Sequence, residues 1–245
     1  MLERLKSYFS FFVQMLNIKG FQKTSLIDYP DKVSSIIFLS GCNMRCPYCQ
    51  NRDLVVNHEK LPDIEEKDVL DYLKAKSKWL DGVVITGGEP SLHDGLKEFI
   101  RKVKQLNFLV KLDTNGTNPG VLKELVDENL LDYVAMDIKA PLERYDEVAK
   151  VKINKEDVQR SVDIIRSSDV DYEFRMTCTP SLIKKEDIIK IREWLKGSKR
   201  FIFQQFSNKT TLDKSFEKEK AYSKEKLNMF KDMLKADIEH TEVRA

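Results

Sequence analysis

SSIIFLSGCNMRCPYCQN, Ser34 to Asn51, joins a short apolar run to a loop that holds three of the chain's four cysteines. The run SSIIFL has the length and the β-branched, aromatic content of a buried strand. Gly41 allows a tight turn before the first thiol, and Pro47 stiffens the second half of the loop. Three residues separate Cys42 from Cys46, and two separate Cys46 from Cys49. A strand that delivers reactive side chains at its C-terminal end is what βα folds provide, since they gather their chemistry there.

The alternation continues outward from this stretch. Strand-like runs stand at 82–86, 108–114, 133–139, 172–178 and 200–206. Amphipathic segments at about 64–78, 94–106, 119–129, 154–167 and 185–196 separate them. In the last of these, Ile188, Ile191, Trp194 and Leu195 fall three and four apart, as one face of a helix requires. Alternation of this kind implies an α/β fold with a parallel sheet, and right-handed crossovers put the helices on one side of it. Six units fall short of eight-fold closure, so the expectation is a partial (β/α)6 TIM-like barrel, open at one side. The polar tail from Lys209 offers one further helix at about 223–235 and a terminal strand at 238–244. Ahead of it all, Leu2, Leu5, Phe9, Phe12 and Leu16 keep helical spacing. Residues 1–17 therefore read as an amphipathic helix preceding a single domain over 18–245.

Composition narrows the function classes. The 42 basic and 40 acidic residues leave a formal charge of +2, without the basic excess of a dedicated nucleic-acid binder. No run approaches the roughly 20 apolar residues of a membrane span, and the N-terminus shows no small-residue cleavage site. Together with cysteines that do not pair off, this points to a reducing, cytoplasmic setting.

Three neighbouring cysteines are an awkward number. Disulfides need pairs, and a structural zinc site takes four ligands; of the three histidines, His58 is placed to complete a Cys3His set. A catalytic cysteine needs a base beside it, not two more thiols. An iron–sulfur cubane usually takes four thiolates; with three, one iron keeps an open position for a small molecule. Tyr48 would then lay an aromatic face beside the cluster.

Polar segments close the later strands. VVITGGEPSL carries Gly87, Gly88 and Glu89, and two glycines at a strand end allow close approach to the backbone. KLDTNG sets Asp113, Thr114 and Asn115 at a strand mouth. In MDIKAP, Asp137 and Lys139 stand two apart and share a face. Arg175, inside EFRMTC, would be a costly buried cation without an anionic or ribose partner. Such interior charges need partners.

Cys-x3-Cys-x-aromatic-Cys after a first strand resembles the radical S-adenosylmethionine (SAM) superfamily. With TGGEP, LDTNG, MDIKAP, FRMTCTP and QQF in order, the chain is most similar to activating enzymes of glycyl radical enzymes. Within them it looks closest to the anaerobic ribonucleoside-triphosphate reductase activating proteins, and GFQKTSLIDYPDKVSSIIFLSGCNMRCPYCQNRDLV, Gly20 to Val55, carries most of the likeness. The resemblance implies a [4Fe–4S] cluster on Cys42, Cys46 and Cys49 whose open iron binds SAM. Reduction then gives methionine and a 5′-deoxyadenosyl radical. The TGGEP segment would hold the methionine amino group, Lys139 and Arg175 the carboxylate or ribose, and Thr114 and Asn115 the ribose region. Asp113 and Asp137 would share a monovalent cation. A glycyl radical enzyme as partner and a flavodoxin or ferredoxin as electron donor follow from the same resemblance. Two other readings stand beside it: a radical SAM enzyme acting on a small molecule, and a zinc-stabilised binding module without catalysis.

Overall fold

A computed structural model describes residues 16–244 of the chain. Eight strands lie side by side in chain order: β1 (Ile18–Ser25), β2 (Ser34–Leu39), β3 (Gly82–Gly87), β4 (Leu109–Thr114), β5 (Tyr133–Asp137), β6 (Asp171–Cys178), β7 (Arg200–Gln205) and β8 (His240–Arg244). β1 runs antiparallel to β2, and every later pair is parallel. Between the strands stand α1 (Arg52–Val56), α2 (Glu66–Lys76), α3 (Leu96–Gln105), α4 (Pro119–Asp127), α5 (Tyr145–Ala149), α6 (Lys155–Ser167), α7 (Lys185–Trp194) and α8 (Lys224–Leu234). This is the partial barrel expected from the sequence, six βα units with the terminal strand added on.

Local chemistry sets the boundaries. The Asn118 side chain accepts from the Val121 N–H to cap α4, with Pro119 in its first turn, and Asn154 and Ser223 cap α6 and α8 in the same way. β3 is buried on both faces, with Val83, Val84 and Ile85 all at most 1 % exposed. That is why its sequence is a continuous apolar run and not an alternating one.

Two apolar layers result. Outward-facing strand residues such as Ile37, Ile85, Leu112, Met136 and Phe174 meet the helices through Leu73, Phe99, Leu125, Val162 and Ile191. Inside the barrel, Tyr29, Ile36, Val84, Tyr133 and Ala135 form a smaller plug near the N-terminal ends of the strands. Above it the lumen is ionic. The carboxylate of Glu173, fully buried, takes both Nη atoms of Arg244 at 2.7 and 2.8 Å and the Tyr133 hydroxyl at 3.1 Å. β8 is thereby fastened from within.

β1 is an addition to the sequence reading. Gln22, Lys23 and Thr24 are exposed and the register to β2 shifts twice, so no clean two-residue alternation marks it. The short α1 and α5 were likewise not foreseen. The expected helix over 1–17 lies outside the described residues, apart from its last two positions, where Leu16 is buried.

Candidate active site

The cysteine loop leaves β2 through Gly41, whose φ of +75° is the left-handed turn that its position demands. Main-chain bonds then hold both ends: Gly41 N–H donates to Leu54 O at 2.8 Å, and Arg45 N–H to Ala149 O at 2.9 Å. Arg45 folds its guanidinium back onto the Cys42 and Met44 carbonyls, at 2.6 and 2.8 Å. Asn43 donates to Thr117 and accepts from Asn115, each at 2.8 Å, which ties the loop to the end of β4. Asn51 donates to Gly87 O at 2.8 Å, tying it to β3. A His93 ring nitrogen sits 2.8 Å from Ser40 O.

All four cysteines are free thiols. Cys42, Cys46 and Cys49 line a single cavity of about 240 Å³ at the C-terminal mouth of the barrel. Burial pushes all three thiols above the usual range, each also feels another of the trio, and the Lys139 ammonium opposes the rise at every one. Burial works against the charge of Lys139 itself, yet Asp137, with Tyr48 and Cys46, keeps its pKa well above the ordinary value. The cavity thus sets three soft donors around one held cation.

Of the residues marked out in the sequence, all but His58 line this same cavity: Tyr48, Gly87, Gly88, Glu89, Asp113, Thr114, Asn115, Asp137, Lys139 and Arg175 join the three thiols. Their roles are more internal than their types suggested. What crowds the two glycines is protein. A Cβ on Gly88 would overlap the Gly41 carbonyl, and one on Gly87 the backbone of Leu39, at a φ of +128°. The glycines therefore let β3 dock against the root of the cysteine loop, sealed by Gly88 N–H to Leu39 O at 2.9 Å and Glu89 N–H to Gly41 O at 2.8 Å.

Glu89 is fully buried. Burial raises its pKa, while Ser91, Thr114 and Asn115 donate to the carboxylate and oppose the rise. Its oxygens are used to join the ends of β3 and β4, and they engage the Thr114 hydroxyl.

The inner charges find one another. Arg175 Nη1 lies 3.1 Å from Asp113, its Nε lies 2.9 Å from Asp137, and Lys139 lies 3.1 Å from the other Asp137 oxygen. Lys111, 1 % exposed, pairs with Asp113. The result is a row of alternating charge across β4, β5 and β6, with the Arg175 guanidinium shared between the two carboxylates. Burial raises the pKa of Asp137, but Arg175 and Lys139 outweigh it and bring the value down to about 2.

Several residues were missed. Lys111, behind the cavity wall as a partner of Asp113, stands two before it, the spacing that drew notice to Asp137 and Lys139, and the same rule finds it. Thr86, Thr177, Gln204 and Gln205 reach the cavity; they stand inside the quoted TGGEP, FRMTCTP and QQF segments but were not singled out there.

Three thiolates with an open fourth position suit an iron–sulfur cluster. Among the described residues no histidine lines the cavity, so the structure does not bring His58 to the trio, and the fourth protein ligand of the zinc reading is missing. The profile of the Radical SAM superfamily matches residues 36–196. The chain belongs to the radical SAM superfamily. It is 38% identical over 207 residues to a Methanocaldococcus jannaschii protein provisionally assigned as a glycyl-radical enzyme activating enzyme, covering 82% of this chain and 84% of that one. It is 33% identical over 129 residues to pyruvate formate-lyase 1-activating enzyme of Escherichia coli K12, which is 50% of this chain and 51% of the relative. Streptococcus suis SuiB bound to its precursor peptide SuiA shares the fold at a TM-score of 0.68 and 16% identity, over 86% of this chain and 48% of SuiB. The chain thus spans about half the length of these last two proteins. As a radical SAM enzyme it is of oxidoreductase type, and the cofactors of its family are a [4Fe–4S] cluster and SAM.

Proposed function

We propose that this enzyme activates a glycyl radical enzyme, with anaerobic ribonucleoside-triphosphate reductase as the partner. Support comes from the M. jannaschii relative: the likeness runs over 207 residues, further than the 36–196 stretch that the superfamily profile matches. Cys42, Cys46 and Cys49 would hold the cluster. When bound, the cluster supplies one electron to SAM, whose cleavage gives methionine and a 5′-deoxyadenosyl radical.

The chain's own residues bind and orient. The main chain of Gly87 and Gly88 offers polar groups to the methionine amino group. Lys139, charged and beside the thiols, takes the carboxylate. Arg175 and Asn115 face the nucleoside, and Thr114 and Glu89 brace Asn115 from behind. Asp113 and Asp137, which share the Arg175 guanidinium, would be the carboxylates for a monovalent cation. Tyr48 and Met44 keep water from the thiols. The substrate of such chemistry would be the α-carbon of a glycine, whose C–H hydrogen would pass to the 5′-deoxyadenosyl group to give 5′-deoxyadenosine and leave the unpaired electron on the glycine. A flavodoxin or ferredoxin as donor and a cytoplasmic setting belong to the same proposal. Among the described residues no helix is long and apolar enough to cross a membrane.

Anaerobic loading with iron and sulfide, then reductant, SAM and the candidate reductase, tests it. A glycyl radical signal in electron paramagnetic resonance, with 5′-deoxyadenosine released, is expected. Turnover of a metabolite with no radical on any protein partner would replace this reading with the small-molecule one.

A further inference from the structure

The walls of the cavity differ in how far their polar groups are already used. On β4 and β5 and at the root of the cysteine loop, the polar side chains are already bonded within the protein: Glu89 to the Thr114 hydroxyl and the Asn115 main-chain N–H, Asp113 and Asp137 to Arg175, and Asn51 to the Gly87 carbonyl. Gln205 donates to Tyr222 O at 2.7 Å. On the facing wall, Thr177 and Gln204 are half-buried, line the cavity, and make no side-chain hydrogen bond among the described residues. They are direct cross-strand neighbours on β6 and β7. They stand two residues beyond Arg175 and Ile202, one layer nearer the mouth. Arg244, the register partner of Gln204 on β8, is committed to Glu173.

A carboxamide carries a donor and an acceptor in one plane, as a peptide group does. In extended backbone the N–H and C=O of one residue point to the same side, so a carboxamide can exchange a pair of hydrogen bonds with that residue. A hydroxyl beside it can donate or accept once more. Both side chains are uncharged, so they leave the balance of the ionic row untouched. A substrate that reacts at a glycine offers no side chain to grip at the reacting position, and its backbone must be held instead.

We propose that Gln204 and Thr177 form a subsite for the main-chain N–H and C=O of the reacting glycine or its neighbour, so that an extended backbone is what this wall selects. The inference rests on the activase reading and adds the means by which the substrate is positioned. Gln204 is a contact to the substrate and not a member of the cluster or SAM shell.

The test uses the loaded enzyme, reductant, SAM and the peptide acetyl-Ala-Ala-Gly-Ala-Ala-amide with both glycine α-hydrogens replaced by deuterium. The readout is the fraction of 5′-deoxyadenosine that carries deuterium, which is independent of the overall cleavage rate. Gln204→Leu should lower that fraction about tenfold, the worth of one or two neutral hydrogen bonds. Thr177→Val, of equal shape, should lower it about threefold and guards against a misfolded Gln204 variant. N-methylation of the glycine or of the next residue should lower it about tenfold in the parent enzyme and less than twofold more in Gln204→Leu, because the contact is already gone. Equal losses in both proteins, or full coupling in Gln204→Leu, would overturn the subsite. Deuterium-free 5′-deoxyadenosine from the parent enzyme would also overturn it, while leaving a partner gripped outside the barrel as the activase substrate. Failure of the parent enzyme to release 5′-deoxyadenosine would instead sink the activase reading itself.

Discussion

The lower and upper halves of the barrel lumen are built from the same strands and have opposite chemistry. Climbing the inner face of β4, Leu109 gives way to Lys111 and then Asp113; on β5, Tyr133 and Ala135 give way to Asp137. Below, Ile36, Val84 and Tyr29 fill space. Above, Lys111, Asp113, Arg175, Asp137 and Lys139 form a closed row of charge. Two residues along a strand separate a region that holds the protein together from one poised to bind ions and zwitterions. The lower half gains stability from burial, whereas buried ion pairs contribute little net stability against their desolvation.

Substitutions test this division, and the largest effect belongs to the mouth. Cys46→Ser should drop iron content after loading and bring SAM cleavage to the background of the assay while leaving the melting temperature of the unloaded protein nearly unchanged. Gly88→Ala should destabilise by at least ~3 kcal/mol in urea titration, since a methyl there meets the Gly41 carbonyl with nothing soft to yield. In the plug, Ile36→Ala should remove about 2–5 kcal/mol without altering SAM affinity. Lys139→Met should do the converse, weakening SAM binding by roughly 10- to 100-fold in equilibrium dialysis, the worth of a charge-assisted hydrogen bond.

Acid should also separate the halves. The Asp137 carboxyl falls from 3.8 to about 2 in the folded protein, so it stabilises the fold above pH ~4 and loses that contribution as the pH drops toward 2. Asp137→Asn should flatten the melting temperature across that window, and a plug variant should not. Smallest of all, Lys123→Ala, at an exposed pair with Asp127 on α4, should shift stability by under ~0.5 kcal/mol.

Much of this was legible in the sequence because each signal was local. The runs at 34–39 and 82–86 are buried on both faces, and the amphipathic stripe at 185–196 ends two residues past the observed α7. All thirteen candidate residues reached one cavity because βα units deliver strand ends to a common mouth. What stayed hidden depends on register. That Arg175 bridges Asp113 and Asp137, or that Glu173 meets Arg244 seventy-one positions away, follows only once strands are aligned. β1 stayed hidden because an exposed edge strand needs no hydrophobic alternation. Glu89 and the paired glycines show the remaining gap: residue type suggested ligand contact, and their added part as joinery between neighbouring segments shows only in the packing.

That joinery has a consequence for electron flow. Gly87 and Gly88 weld the root of the thiol loop to the neighbouring strand end by main chain alone. The thiols that would hold a cluster and the strand end that would meet the amino acid part of SAM therefore keep a spacing set by the fold itself. A ruler made of backbone is in place before either group would arrive.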